Sequence, residues 1–550
     1  MDINKPAAPS FFKRAIAFIL HPEMNSIQLN LLVSVFLVLF YNHSFWAEIG
    51  DISARSLQDR LFLGSIFLLL AAFFNLCLSF FSFRLVLKPC LVVILLIATL
   101  AAYFMKTYGI MIDRAMVKNI LTTDMGDISE LLNVKMLYYF MVLGVIPSLF
   151  VLRTKVRYKG PVRELFMVSG SVLTSLVVMA VILVFLYKDY ISLGKNYNYV
   201  RHLINPVSSL YAVVSYAKRS VTSGKMVVRP IGEDARVEKK WQERGRKNLV
   251  ILVVGEAARA HNFSLNGYEK KTNPLLEKED VLNFSSMYSC GTVSSTSVPC
   301  MFSHFGRDSF TDLKAQRHQG LLDVVSHAGV EVLWRENNSG CKGVCDRVKT
   351  ENMAALCANG ECQDMILLGG MQQHIDQIGG DALIVLHQKG SYGPGYYRRS
   401  PPEFKAFLPE CTTNQLQQCR AEELVNAYDN TILYTDYFLA QVIDLLKQNS
   451  GRFNTAMVYL SDYGESLGEK NIYLHGLPLM IAPDEQKHIP FILWFGGGFL
   501  EENGIDGACL QKKVNDAVSH DNLFHSMLGL LGIKTVMVEK ELDIFAGCRR

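Results

Sequence analysis

Four segments of the chain concentrate side chains that could do chemistry together. Val253-Val254-Gly255-Glu256 and Leu460-Ser461-Asp462-Tyr463-Gly464-Glu465 each place carboxylates directly after an apolar run. Leu386-His387 leads on to Ser391-Tyr392-Gly393-Pro394, and the stretch from Cys290 to Cys300 holds five hydroxyls between two cysteines. Glu256 and Asp462 are oxygen donors suited to a divalent cation, and His475 in Leu474-His475-Gly476 could join them. A cation held there would lower the pKa of a bound hydroxyl and neutralise phosphate oxygens. A disulfide across Cys290 and Cys300 would keep the hydroxyl-bearing loop rigid. Each element alone is a weak signal, because an acidic residue at a strand end often caps the next helix.

These residues need elements to position them. Short β-branched runs at 248–254, 330–334, 382–386, 456–460 and 489–495 read as buried strands, with helical stretches such as 321–328 and 422–448 between them. That alternation predicts an α/β domain with a largely parallel sheet covered on both faces. Ligands in such domains bind beyond the carboxyl ends of the strands. Three of the four segments lie at such ends.

The front of the chain is different. Half of all residues are hydrophobic and only 19% are charged, and the apolar excess falls in runs at 27–45, 61–81, 91–105, 136–152 and 166–187. A bilayer core takes about 20 helical residues, so these predict five transmembrane helices. The third run is short, but Lys106 can snorkel and residues 108–112 extend it. The first run starts late and lacks a small-residue cleavage site, unlike a signal peptide. Lys13, Arg14, Arg84, Lys88 and the cluster Arg153, Lys155, Arg157, Lys159 and Arg163 fall in alternate loops. The positive-inside rule therefore puts the N-terminus in the cytoplasm and everything after Tyr187 outside.

Cysteine usage agrees. Of twelve cysteines, only Cys77 and Cys90 lie in or beside the apolar runs. The other ten follow residue 200, several as close neighbours (Cys290/Cys300, Cys341/Cys345, Cys357/Cys362, Cys411/Cys419), with Cys509 and Cys548 remaining. An even set in an exported domain reads as disulfides, with connectivity open. A rival reading is a zinc site from Cys341, Cys345, Cys357 and Cys362, which an oxidising compartment disfavours. The formal net charge of +4 argues against a nucleic-acid footprint. The expected organisation is a transmembrane domain at 1–190, a bridge at 191–247 and an α/β domain at 248–550. The bridge carries an amphipathic helix near 203–216 and a solvated linker over 237–247.

Several longer motifs add to this pattern: Asn262-Phe263-Ser264-Leu265-Asn266-Gly267-Tyr268, Ser297-Val298-Pro299-Cys300-Met301-Phe302-Ser303, Cys341-Lys342-Gly343-Val344-Cys345-Asp346-Arg347 and Gly464-Glu465-Ser466-Leu467-Gly468-Glu469. Together with the five spans they make the chain resemble, over nearly its whole length, the phosphoethanolamine transferases that modify lipid A, a group that includes those conferring polymyxin resistance. The resemblance implies a bacterial inner-membrane protein whose periplasmic, zinc-dependent domain has an alkaline-phosphatase- or sulfatase-like fold. It further implies transfer of phosphoethanolamine from phosphatidylethanolamine to lipid A through a covalent phospho-enzyme. Carried over by position, Glu256 and Asp462 fall on zinc carboxylates. Ser294 stands where the family nucleophile, also a zinc ligand, is a threonine, with Thr292 and Thr296 as neighbours. Asn119, Thr123 and Asp127 match a membrane-proximal substrate cluster, Asp127 standing for the usual glutamate, and Ser339 and Lys342 match a site near the bound headgroup.

Two positions depart from the family pattern. Tyr463 replaces the zinc-ligand histidine of an Asp-His-Gly motif, and Tyr392 replaces the histidine of Ser-His-Gly-Pro; His475 is retained. Neutral imidazole ligates zinc readily, whereas a phenol with pKa near 10 must first lose its proton. The competing readings are a phosphoglycerol transferase or sulfatase-like hydrolase on the same scaffold, and a lipid-binding paralogue that has lost the metal.

Overall fold

The protein is described from a computed structural model over residues 22–53, 57–122, 130–196, 198–222, 227–242, 245–357 and 362–550. The chain divides into two units, Met1–Arg114 with Leu132–Ser215, and Ala115–Leu131 with Tyr216–Arg550.

The first unit is helical. Among the described residues, four helices are long and apolar enough to cross a membrane: Arg60–Ser79, Leu87–Tyr108, Val134–Arg153 and Pro161–Phe185. The first apolar run makes a fifth span only as a pair, Ser26–Phe40 and His43–Gly50, bent by 58°. The break has a polar cause. The Asn42 side chain donates to the Leu37 carbonyl at 2.9 Å and to the Asn205 carbonyl at 2.7 Å, and accepts from the Asn205 N–H at 2.8 Å. An amide satisfied this way takes over backbone partners that a continuous helix would use. Elsewhere Asn75 donates to Ser171 and Ser175 across two spans, both at 3.0 Å. Such bonds hold helices together where apolar surface cannot distinguish protein from lipid.

The second unit is built on an eight-stranded sheet. Its strands in chain order are β1 (Lys247–Gly255), β2 (Val281–Tyr288), β3 (Glu331–Glu336), β4 (Lys349–Asn352), β5 (Ala382–His387), β6 (Phe453–Ser461), β7 (His488–Phe495) and β8 (Val518–Ser519). Spatially they run β8-β2-β7-β6-β1-β5-β3-β4. The block β6-β1-β5-β3-β4 is parallel, as the unbroken apolar runs of β1 and β6 imply, because a strand covered on both faces buries every side chain. The sheet is nevertheless mixed: β7 is antiparallel to both β6 and β2. Strand β2 reads Val-Leu-Asn-Phe-Ser-Ser-Met-Tyr, whose interleaved polar residues hid it from a search for apolar runs. The amphipathic helix of the bridge lies at Val207–Thr222, a few residues later than the periodicity suggests.

Part of the segment read as a solvated linker is instead packed. Val237 pairs with Ile533, and the Glu238 N–H donates to the Gly532 carbonyl at 3.1 Å. Trp241 is 4% exposed and lies so close to Gly532 that a Cβ there would come within 2.7 Å of its ring. Five disulfides pair Cys290–Cys300, Cys341–Cys345, Cys357–Cys362, Cys411–Cys419 and Cys509–Cys548, which removes the four-cysteine zinc site. Only Cys77 and Cys90 are free among the described residues. Truncating the buried indole, Trp241→Ala, is expected to destabilise the second unit by roughly 3–5 kcal/mol, read as a lowered unfolding midpoint of the full chain in detergent. A surface linker would show no shift.

Candidate active site

The parallel block brings the carboxyl ends of its strands to one edge. Gly255 on β1 is in register with Ser461 on β6, so Glu256 and Asp462 leave the sheet side by side. On the other flank Val254 is level with His387, and His387 with Glu336. Close packing explains two glycines here. A Cβ on Gly255 would lie 2.8 Å from the Tyr459 hydroxyl, and one on Gly390 would lie 2.8 Å from the Glu256 carbonyl oxygen. The latter contact lets the loop after β5 cross Glu256, where the Ser391 N–H donates to the Glu256 carbonyl at 3.0 Å.

Ser294 is the first residue of helix α1 (Ser294–Met301), which the Cys290–Cys300 disulfide brackets. Its hydroxyl donates to Glu256 Oε1 at 2.7 Å. The Tyr463 hydroxyl donates to that same oxygen. Glu256 Oε2 accepts from Asn338 Nδ2 at 2.8 Å and lies 3.6 Å from His387 Nε2. His387 sits between two carboxylates, its Nδ1 being 3.5 Å from Glu336 Oε2. Asp462 Oδ1 accepts the Tyr463 and Ala257 N–H groups at 2.9 and 3.3 Å, while its Oδ2 is buried with no hydrogen-bond partner.

The electrostatics follow from these contacts. Burial opposes ionisation of Glu256, but the His387 bond and charge, with the Tyr463 and Ser294 hydroxyls, bring its carboxyl down to about 2. Burial would discharge His387, yet its bonds to Glu256 and Glu336 raise it above an ordinary imidazole. Asp462 is pushed far up by burial and by the Glu256 charge. Burial and the surrounding carboxylates Glu256, Asp462 and Glu465 drive the Tyr463 phenol upward as well. The site therefore holds an ionised Glu256 beside an Asp462 that lacks a compensating positive charge.

A second polar group adjoins it. His475 Nδ1 is bonded to Glu465 Oε1 at 2.8 Å, and burial raises Glu465, whose Oε2 has no hydrogen-bond partner. The His475 ring lies 4.5 Å from that of Tyr463 and 5.7 Å from that of Tyr392. Both substituted positions are thus at the site. Lys342 Nζ donates to the Ser339 carbonyl and hydroxyl at 2.6 and 2.8 Å, and the Ser339 N–H donates to Asn338 Oδ1 at 2.7 Å. Ser339 and Lys342 are thereby joined to Glu256 through Asn338. Lys342 also lines a cleft of about 130 Å³ with Lys118, Pro299 and Ser303.

The segment before residue 131 belongs to this unit. Asn119 is buried on helix α2 (Arg114–Thr122), and Lys118 of that helix donates to the Ser295 carbonyl at 2.7 Å. Glu130 accepts from Arg399 at 2.8 Å, and Arg399 donates to the Tyr392 carbonyl at 2.9 Å. Thr123 and Asp127 lie outside the described residues. Of the hydroxyls flanking Ser294, Thr292 donates to the Leu477 carbonyl at 2.6 Å and so is already engaged.

Sequence reasoning missed Asn338, the role of His387, and His520. Asn338 and His387 follow or end strands and carried a positional hint. His520 carried none. Fully buried, it accepts from the Cys290 N–H at 3.2 Å through Nδ1 and bonds the Ser461 carbonyl at 3.0 Å through Nε2, tying the serine loop to the strand that presents Asp462. Burial lowers His520 to about 4. An imidazole whose folded pKa is depressed contributes its full stability above the unfolded value of about 6.5 and loses it as pH falls towards 4. Chemical-denaturation midpoints of the full chain are expected to drop over that window, and His520→Asn to flatten the drop while lowering stability at pH 7.

The donor set can be tested against zinc. Among the described residues, the one group of three or more histidine, cysteine or acidic ligand atoms within 4.8 Å of one another is Cys341, Cys345 and Asp346, whose sulfurs are joined to each other. Glu256 and Asp462 thus have no third ligand of that kind; their companions are the Ser294 and Tyr463 hydroxyls. The buried Asp462 Oδ2 fits a cation, but the set lacks the nitrogen or sulfur typical of zinc.

Comparison with known proteins is consistent with this architecture. Residues 248–533 match a sulfatase family model, and residues 70–221 match one described as phosphoethanolamine transferase EptA/EptB. The chain is 40% identical to phosphoethanolamine transferase EptA of Escherichia coli K12, over 96% of this chain and 98% of that protein. It is 37% identical to phosphatidylethanolamine transferase Mcr-1 of Escherichia coli, over 91% and 94% respectively. The solved structure of the integral membrane lipooligosaccharide phosphoethanolamine transferase A from Neisseria meningitidis superposes with a TM-score of 0.93 at 35% identity, covering 96% of this chain and all of that one. With membrane helices followed by a sulfatase-like unit, and similarity running through both, the chain belongs to the phosphoethanolamine transferase family.

Proposed function

We propose that the chain transfers phosphoethanolamine from phosphatidylethanolamine to lipid A, with Ser294 as the nucleophile and the second unit facing the bacterial periplasm. The observation that carries this is the 2.7 Å bond from the Ser294 hydroxyl to Glu256, a carboxylate held ionised at neutral pH. That geometry suits Glu256 to take the serine proton as Oγ attacks. The Ser294 Oγ–P bond forms as the P–O bond to the diacylglycerol breaks, and the departing alkoxide needs a proton. His475, with its other nitrogen held by Glu465, is suited to supply it. An acceptor O–H on lipid A then attacks the phosphoserine and gives its proton back to His475, while the Ser294 Oγ–P bond breaks and Glu256 returns its proton to Ser294. The N-terminus of α1 favours the phosphate by its dipole, and Lys342, linked to Glu256 through Ser339 and Asn338, is suited to neutralise its oxygens.

Glu256, Asp462 and Ser294 are the residues on which a divalent cation would sit, where it would neutralise phosphoryl charge. Zinc is the ion that the family pattern implies, and Tyr463 leaves that set without its imidazole; no step above depends on it. Asn119, with Thr123 and Asp127, is assigned to the membrane-proximal side of the lipid site, and Ser339 and Tyr392 to the headgroup. Attaching a cationic ethanolamine lowers the negative charge of lipid A and weakens its attraction for cationic peptides.

Ser294→Ala is expected to reduce transfer by at least about 10³-fold, and Ser294→Thr to stay within about tenfold of the parent, measured by mass spectrometry of lipid A. The peptide bearing Cys290 and Cys300 should carry a phosphoethanolamine mass when the enzyme is quenched with donor alone. A phosphoglycerol mass would favour the related transferase, and an unmodified peptide with no lipid A product would sink the transfer reading.

A further inference from the structure

The donors converging on the carboxyl ends of β1 and β6 are all oxygens. The Tyr463 hydroxyl and the Ser294 hydroxyl both meet Glu256 Oε1, the latter at 2.7 Å. Tyr463 is fully buried, and its backbone is fixed at both ends: its N–H on Asp462 Oδ1 at 2.9 Å, its carbonyl accepting from Ser461 Oγ at 2.8 Å. The phenol is therefore a built part of the site. Among the described residues, no imidazole groups with Glu256 and Asp462 at ligating distance. His387 lies on the Oε2 side of Glu256, between that carboxylate and Glu336, and His475 is bonded to Glu465 with its ring 4.5 Å from that of Tyr463.

One observation points to an ion here independently of the carboxylate pair. Asp462 Oδ2 is completely buried and accepts no hydrogen bond, and an orphaned carboxylate oxygen in a dry interior is costly unless a cation or donor completes it. Zinc owes much of its affinity for proteins to imidazole and thiolate, whereas carboxylate, hydroxyl and water oxygens suit manganese and magnesium. Exchanging an imidazole for a phenol penalises zinc more than it penalises a hard ion.

We propose that Tyr463 makes this an all-oxygen cation seat, formed with Glu256, Asp462 and Ser294, whose preference is shifted from zinc toward hard divalent ions of the manganese and magnesium class relative to a seat with an imidazole at 463. The inference rests on the reading that these carboxylates hold a cation. It goes beyond that reading in assigning the class of ion and the residue that selects it.

The test uses the full chain in detergent, stripped with chelator and titrated separately with Mn²⁺ (free ion read by electron paramagnetic resonance) and Zn²⁺ (competition with a coloured chelator). Tyr463→His is expected to tighten zinc at least about tenfold and manganese less than about threefold, changing the ratio of the two affinities. Asp462→Asn should weaken both ions, placing them at this seat. Should the histidine variant fail to fold, Tyr463→Phe carries the test, with manganese expected to weaken at least about threefold. The proposal is overturned if Tyr463→His leaves zinc affinity unchanged, if both ions tighten equally, if the phenylalanine variant binds manganese like the parent, or if the parent binds neither ion. Binding is read without turnover. Manganese binding without headgroup transfer would support this proposal and count against the transfer reading, whereas transfer with an unchanged ion ratio would do the reverse.

Discussion

Two carboxylates in a dry interior must be held against their mutual repulsion, and the second unit is organised around that constraint. The register of β1 with β6 places Glu256 and Asp462 together. Glu256 is stabilised from every side: Ser294 and Tyr463 on one oxygen, Asn338 and His387 on the other. Asp462 receives two backbone N–H groups on one oxygen and nothing on the other. That asymmetry separates their proton affinities, leaving one group ionised and the other as the place where positive charge is missing. The Ser294 hydroxyl is bound to the ionised member.

The rest of the unit keeps this arrangement in register. His387 lies 3.5 Å from Glu336, which also accepts from the Trp334 indole at 2.9 Å, so the imidazole beside Glu256 is positioned by residues inside the sheet. His520 links the serine loop to β6, and the Cys290–Cys300 disulfide closes that loop. Helix α2 reaches the same loop through Lys118 and Ser295. Placing the Ser294 hydroxyl thus depends on segments far apart in the chain. Preorganisation of this kind requires packing on all sides, which a large α/β sheet supplies.

Much of this was legible in the chain. The membrane helices follow from apolar runs of bilayer length, and the exported head from loop charges and ten clustered cysteines. The parallel block follows from β-branched runs at β1, β5 and β6. Glu256, Asp462 and the Ser294 loop stood out because they directly follow strands or lie between cysteines. Strand β2 and the packed part of the bridge did not. In the first, polar residues interrupt the apolar pattern; in the second, Trp241 sits among charges and is buried only because Gly532 leaves room for its ring. The bend in the first span is likewise a long-range event, set by Asn42 meeting Asn205.

The sequence by itself determined which residue types stand at the ends of the strands, including a phenol where an imidazole was expected, because strand ends are fixed by local pattern. It also determined which part enters the membrane, since length and hydrophobicity decide that without reference to neighbours. Only the tertiary structure decided what those residues do to one another. Charge states depend on burial and on partners brought from distant segments: His387 raised between two glutamates, one Asp462 oxygen left without a hydrogen bond, Tyr463 turned onto Glu256. Those are properties of the space around each group, and one-dimensional spacing does not contain them.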